Sequence, residues 1–297
     1  MKVAFLQFSL LCLPAFADVA AGQQALNKGD YATALKEFLP LATQGNAKAQ
    51  LFLGIMYGEG RGVPEDYKTA AGWYRLAAEQ GDALAQESLG FMYSEGRGVP
   101  QDYKEAVKWY RSAAAQRYAL AEFFLGVSYD NGQGAPQDYE EAVKWYRLAA
   151  DQGLAGAQVN LGVMYEKGQG VSQDFKEAVK WYRLGADQGF AAAQSNLAGM
   201  YVRGEGVPKD FKEAVKWYTL GAEQGHTSAQ YNLGLGYAHG DGVPQDYVLA
   251  HMWLNLAGAK GDTDAIKARS NVAGMMTPDQ IAEAQRLARD WKPKTSP

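Results

Sequence analysis

Residues 82–117, DALAQESLGFMYSEGRGVPQDYKEAVKWYRSAAAQR, decide the fold of this 297-residue chain. Displaced by 36 residues in either direction the same pattern returns, most visibly as Trp73, Trp109, Trp145, Trp181, Trp217 and Trp253. Self-similarity at a period of roughly twenty to fifty residues marks a repeat array, in which each unit buries its apolar face against its neighbours. Six units begin at Asn46, Asp82, Tyr118, Leu154, Phe190 and His226. Such an array has no single core to limit its length, so the expectation is one elongated domain.

Within a unit the first half carries Leu-Gly-x-x-Tyr or a near form, as in Leu161, Gly162 and Tyr165. Spacings of three and four put leucine and tyrosine on one helical face, and the glycine lets a partner helix approach closely. This predicts helix A. A loop follows with Gly96, Gly98, Val99 and Pro100, where glycine ends the helix and proline bars its continuation. A phosphate-cradling role would need a Walker lysine and hydroxyl after a strand, and neither accompanies these glycines.

Two residues past the proline stands an aspartate in every unit: Asp66, Asp102, Asp138, Asp174, Asp210 and Asp246. Glu105, Glu141, Glu177 and Glu213 follow three residues later in four of them, which predicts reciprocal capping boxes for helix B rather than acid–base pairs. Helix B places Ala70, Tyr74 and Ala77 on one face with Trp73 at its flank. Aromatics at helical spacing ordinarily supply core burial, so the tryptophans read as a ridge between repeats before they read as a sugar platform.

The ends differ from the units. Residues 1–17, MKVAFLQFSLLCLPAFA, have one lysine, an apolar run and a small-x-small ending, which predicts a signal peptide cleaved after Ala17 and export to the periplasm or beyond. The apolar run is too short to span a bilayer. Cys12 is the sole cysteine and lies in this segment, so the exported chain has no disulfide. Loss of Lys2 takes the formal charge from −4 to −5; acidic and basic residues alternate within the units, leaving no basic stripe for nucleic acid. Residues 18–45 read as an N-terminal capping half-repeat with Asp30 as helix cap, residues 46–261 as the six repeats, and residues 262–297 as C-terminal capping helices and a frayed tail, with Thr277, Pro278 and Gln280 starting the last helix.

The tetratricopeptide-like Leu-Gly-x-x-Tyr, the 36-residue period and the loop Gly-x-Gly-Val-Pro-x-Asp-Tyr together resemble the Sel1-like repeat, over about Gly22 to Trp291. The resemblance implies a bacterial, all-α protein, a right-handed α-solenoid of helix-turn-helix repeats acting as an adaptor: a periplasmic signalling regulator, an exopolysaccharide-assembly protein or a secreted factor binding host proteins. Cysteine-rich relatives are associated with β-lactam binding or hydrolysis. This chain lacks their paired cysteines, so that activity is not carried over.

No Ser-x-x-Lys, Gly-x-Ser-x-Gly or His-Glu-x-x-His is present, and His226, His239 and His251 fall at different places in the unit, so neither a catalytic set, a metal site nor a cofactor is expected. Specificity should then sit where units differ. Helix A lines the concave surface in related solenoids, which makes the binding stripe two columns on it: Leu51, Glu87, Phe123, Val159, Ser195 and Tyr231, and beside them Phe52, Ser88, Phe124, Asn160, Asn196 and Asn232. The residues expected to contact a protein or peptide partner are Tyr118, Phe123, Phe124, Val159, Asn160, Asn196, Tyr231 and Asn232. A glycan in polysaccharide handling is the second ligand class, and a β-lactamase-like or cell-wall hydrolase the third reading.

Overall fold

A computed structural model describes residues 18–294; the segment read as a signal peptide, residues 1–17, lies outside the described residues. The described chain holds sixteen α-helices and no strand. It divides into two compact units, the first ending at Tyr118 and the second beginning at Ala119, in place of the single domain expected.

The first unit contains α1 (Val19–Asn27), α2 (Tyr31–Thr43), α3 (Ala47–Glu59), α4 (Tyr67–Glu79), α5 (Ala83–Glu95) and α6 (Tyr103–Ala114). The N-terminal segment is therefore a complete two-helix hairpin rather than half a repeat. A Cβ on Gly22 of α1 would lie 2.5 Å from the Phe38 ring of α2, the same close approach that joins helices A and B of the repeats.

The second unit runs through α7 (Ala119–Asn131), α8 (Tyr139–Asp151), α9 (Ala155–Lys167), α10 (Phe175–Asp187), α11 (Ala191–Arg203), α12 (Phe211–Glu223), α13 (Thr227–His239) and α14 (Tyr247–Gly258). It closes with α15 (Thr263–Ala273) and α16 (Pro278–Asp290). The capping box of α16 forms on both sides, Gln280 N–H to Thr277 Oγ1 at 3.3 Å and Thr277 N–H to Gln280 Oε1 at 2.9 Å. The described part of the tail is not frayed: Trp291 packs edge-on against Trp253 at 6.2 Å, and Lys294 donates its backbone N–H to the Glu223 carbonyl at 2.8 Å.

The first four repeats are each held by one ring in one notch; the fifth carries Ala198 there, and in the sixth Gly234 receives Leu254. A Cβ on Gly54, Gly90, Gly126 or Gly162 would sit 2.5–2.7 Å from Tyr74, Tyr110, Tyr146 or Tyr182 of the same repeat, so the absence of a side chain is what admits the tyrosine. The loop glycines do a different job. Gly98 has φ 71° and lies so close to the Tyr67 carbonyl that a Cβ would approach within 2.1 Å; the loop is a packing device that seats one repeat on the preceding helix B.

All six predicted aspartates cap helix B through their side chains. The reciprocal half of the predicted boxes is absent at these helices for a physical reason. The backbone N–H of Asp102 is already given to the Tyr93 carbonyl at 2.9 Å, and those of Asp138, Asp174 and Asp210 go likewise to Tyr129, Tyr165 and Tyr201. Glu105, Glu141, Glu177 and Glu213 instead pair with the lysine three residues on.

A second ladder was not read from the sequence. Gln50, Gln86, Gln158, Gln194 and Gln230 are all buried, and each donates Nε2 to an alanine carbonyl eight residues earlier. Their Oε1 atoms accept from Gln80, Gln116, Gln188 and Gln224, thirty residues later, in the first four cases. At the last step Lys260 stands where that glutamine would be and turns to the Gly225 carbonyl, leaving the buried Gln230 Oε1 without a partner.

Candidate interaction clefts between repeats

Where helix A of one repeat meets the repeat before it, a cleft opens at a recurring register. In the first unit a cleft of about 270 Å3 is lined by Gly58, Tyr67, Tyr74, Glu87, Ser88, Phe91 and Arg97, among others. In the second unit a cleft of about 230 Å3 is lined by Asp130, Tyr139, Asn160, Val163 and Gln169, and another of about 150 Å3 by Val202, Phe211, Tyr218, Asn232, Leu235 and Asp241. Position for position these are the same places displaced by two and four repeats.

The polarity of each site is set by what lies under the tyrosine of helix B. The Tyr182 hydroxyl donates to Glu166 Oε2 at 2.6 Å, and Tyr146 to Asp130 Oδ2 at 3.1 Å. Tyr110 meets Ser94 at 3.3 Å. Gly58 and Val202 hold the same register beneath Tyr74 and Tyr218 and offer no side-chain acceptor. Burial pushes all five phenols upward, Tyr218 to about 12, so they are neutral donors at physiological pH.

Between the fourth and fifth repeats, Arg203 reaches back to Glu166 at 2.7 Å while its Nε holds Glu205 at 2.5 Å. That junction is filled by an ion-paired network. Between the first and second repeats the opposite holds: Glu87 is 8 % exposed, faces the cleft, and has its carboxyl pushed up to about 7 by burial, with the Ser88 hydroxyl opposing the shift.

The residues of the expected stripe fall into two groups. Asn160 and Asn232 line clefts, Ser88 does so at the same register, and Asn196 is half-buried on α11. The other column, Glu87 apart, is taken up in packing. Val159 is buried in the apolar cluster of Val179, Tyr182 and Leu197, and Ser195 and Leu51 are buried too, so Val159 offers no contact surface. Phe123 is half-buried and lies 6.0 Å from the Tyr146 ring and 5.4 Å from Phe124, itself half-buried, so Phe123 belongs to the packing between α7 and α8. Tyr231 packs on the cluster around Ala250 and Leu254. Tyr118 is half-buried, its phenol pushed upward by burial and by Glu87 and Asp82. Adjacent helix-A positions differ from repeat to repeat in whether they pack inward or line a cleft, as Val159 and Asn160 do against Glu87 and Ser88, and the periodicity of one unit does not say which is which.

Glu87 stands in the expected stripe but not among the residues expected to contact a partner, although a carboxylate in a column of Leu51, Phe123, Val159, Ser195 and Tyr231 is a visible departure. The tryptophans are packed: Trp181, Trp217 and Trp253 are buried, and the indole N–H groups of Trp109, Trp145 and Trp181 are enclosed without an acceptor. Lys108, Lys180 and Lys216 lie over the rings of Trp109, Trp181 and Trp217 at 5.5–5.8 Å. The histidines are dispersed as helix cap (His226), last residue of α13 beside Asp241 (His239) and buried core residue (His251). Among the described residues no group of three His, Cys, Asp or Glu converges, and no helix is long and apolar enough to cross a membrane.

The family model for the Sel1 repeat matches six consecutive segments, residues 47–82, 83–118, 119–154, 155–190, 191–226 and 227–262. The crystal structure of a Sel1 repeat protein from Oxalobacter formigenes is similar at 36 % identity and a TM-score of 0.76, over 80 % of this chain and 96 % of that one. A protective antigen of uropathogenic Escherichia coli displaying an SLR fold matches at 24 % identity and a TM-score of 0.41, over 92 % of this chain and 94 % of that one. No curated protein matches the chain. Sel1 repeats commonly mediate protein binding, and their fold is typically non-catalytic. With six adjoining matches from residue 47 to residue 262 and paired helices throughout, the chain belongs to the Sel1 repeat family.

Proposed function

We propose that this chain is a non-enzymatic interaction scaffold of the bacterial envelope, periplasmic or secreted, which holds a protein or peptide partner through the helix-A clefts. One observation carries the reading: the cleft recurs at fixed register while its lining changes, from Ser88, Phe91 and Arg97 to Asn160, Val163 and Gln169 to Asn232, Leu235 and Asp241. A constant frame with variable lining is how a repeat protein separates stability from specificity. The carboxylates used in helix capping and lysine pairing support a structural role for most of the charge. Export is supported by residues 1–17 and by the start of α1, where Asp18 caps the helix. Cleavage after Ala17 would leave the new ammonium group at the Asp18 nitrogen, 3.0 Å from Glu37 Oε2.

The test is a photo-crosslinking amino acid placed at position 160 or 232 in cells, with position 184, an exposed helix-B leucine, as control. One discrete protein adduct from both cleft positions and none from position 184 is the expected result. Equal labelling at all three, or none, overturns the scaffold reading. Sequencing of the purified chain should begin at Asp18; a chain retaining Met1 overturns the export assignment.

A further inference from the structure

We propose that the cleft between the first two repeats receives a lysine or arginine side chain of the partner protein, whose cationic nitrogen pairs with the Glu87 carboxylate at the cleft floor. The proposal rests on the scaffold reading and names the chemistry of the partner at one site. Glu87 is more than nine-tenths buried, and its one polar partner among the described residues is the Ser88 hydroxyl. The neighbouring cations are engaged elsewhere: Lys48 with Asp82 at 2.7 Å, Arg61 with Glu59 at 2.5 Å, Arg75 with the Tyr93 hydroxyl at 2.7 Å, and Arg97, which lines the same cleft, with the Tyr67 and Phe91 rings. A carboxylate withdrawn from water without a counter-charge is costly, and a cation delivered to it recovers that cost.

The walls suit such a guest. Arg97 already lies over the Tyr67 and Phe91 rings at 5.6 and 5.7 Å, so the rim accommodates a guanidinium against aromatic faces. At about 270 Å3 the cleft falls below the range of roughly 300–1,000 Å3 usual for sites of larger small molecules, which favours one long side chain over a cofactor.

The groups facing Glu87 are Glu59 at the end of α3, Tyr67 and Tyr74 of α4, Arg97 of the following loop, Tyr110 of α6, and Tyr118. The phenols of Tyr74, Tyr110 and Tyr118 are pushed upward and stay neutral, so the carboxyl of Glu87, pushed up to about 7, is the group that titrates there near neutrality. A cation binds the ionised form, so binding strengthens as pH rises. With one proton linked, affinity should be about tenfold higher at pH 8 than at pH 6.

The experiment uses the mature full-length chain and the peptide acetyl-Gly-Lys-Gly-amide, its arginine analogue, its norleucine isostere and free butylammonium. Carboxyl carbon NMR follows Glu87, assigned by Glu87→Gln, and calorimetry gives affinities at pH 6 and pH 8. The lysine or arginine peptide should lower the Glu87 midpoint by a unit or more and bind about tenfold tighter at pH 8. Glu87→Gln and Glu87→Leu, the latter carrying the residue of position 51, should keep their helical circular dichroism and lose the response. The proposal is overturned if norleucine peptide acts equally, if Glu87→Gln binds unchanged, or if butylammonium binds as tightly as the peptide, which would make the ligand a free amine. It is also overturned if Glu87 alone titrates near the ordinary value of about 4.3 and rises in Arg97→Ala, because Arg97 is then its cation. Crosslinks at positions 160 and 232 with an indifferent Glu87 would leave the scaffold standing and remove this proposal; a responsive Glu87 without any crosslinked partner would remove the scaffold and the partner named here.

Discussion

Two junctions of the same design meet opposite ends. Between repeats four and five, Glu166 lies under the Tyr182 hydroxyl and is held by Arg203 from the next repeat. Between repeats one and two, the same two registers carry Gly58 and Glu95, the Tyr74 hydroxyl stands 3.8 Å from where a Gly58 Cβ would be, and a buried acid, Glu87, faces open space instead. The backbone frame is common to both. Neutralising a charge internally makes a seam; leaving a buried one unpaired makes a receptor.

The largest effect that separates them is in pH. Burial raises the Glu87 carboxyl from its unfolded range to about 7, so the folded state holds its proton more tightly. Its stabilising contribution is full below about pH 4.3 and is lost as pH rises through 7, by up to about 4 kcal/mol. Urea unfolding from pH 5 to pH 8 should show this fall in the wild type, and Glu87→Gln should flatten it; equal slopes would break the contrast. Next, Tyr182→Phe removes a hydrogen bond to a carboxylate and should cost about 1.5–3 kcal/mol, whereas Tyr74→Phe, with no acceptor beneath it, should cost only a few tenths. Chemical denaturation of the two variants compares them directly.

Transplanting the seam is the sharpest way to exchange the two junctions. Gly58→Glu with Glu95→Arg puts the fourth-to-fifth-repeat pair into the first unit. The lysine peptide should then bind at least about tenfold more weakly, measured by calorimetry, because the introduced guanidinium fills its place. The smallest effect belongs to Arg203→Ala. Its side chain is 44 % exposed, so screening by solvent limits the loss to about 1 kcal/mol, detectable as a shift in urea midpoint.

Much of the fold was legible because it follows local rules. The period, the helix-A and helix-B halves, the aspartate caps and the Thr277–Gln280 box all depend on residues within a turn or two of each other. The failures have a common cause. The boxes expected at Glu105, Glu141, Glu177 and Glu213 were forestalled by tyrosine carbonyls nine residues before each capping aspartate, and the buried glutamine ladder joins side chains thirty residues apart. Of the stripe, Asn160 and Asn232 reach clefts, while Val159 and Phe123 turn into the packing.

The sequence alone therefore determined an all-α array of 36-residue helical pairs, since hydrophobic spacing, glycine placement and capping residues act over a few positions. Only the tertiary structure decided which polar groups end up paired. Whether Glu87 is an exposed charge or a buried one, and whether Glu166 finds Arg203, depends on burial and on partners one repeat away, where the balance of desolvation against pairing is struck.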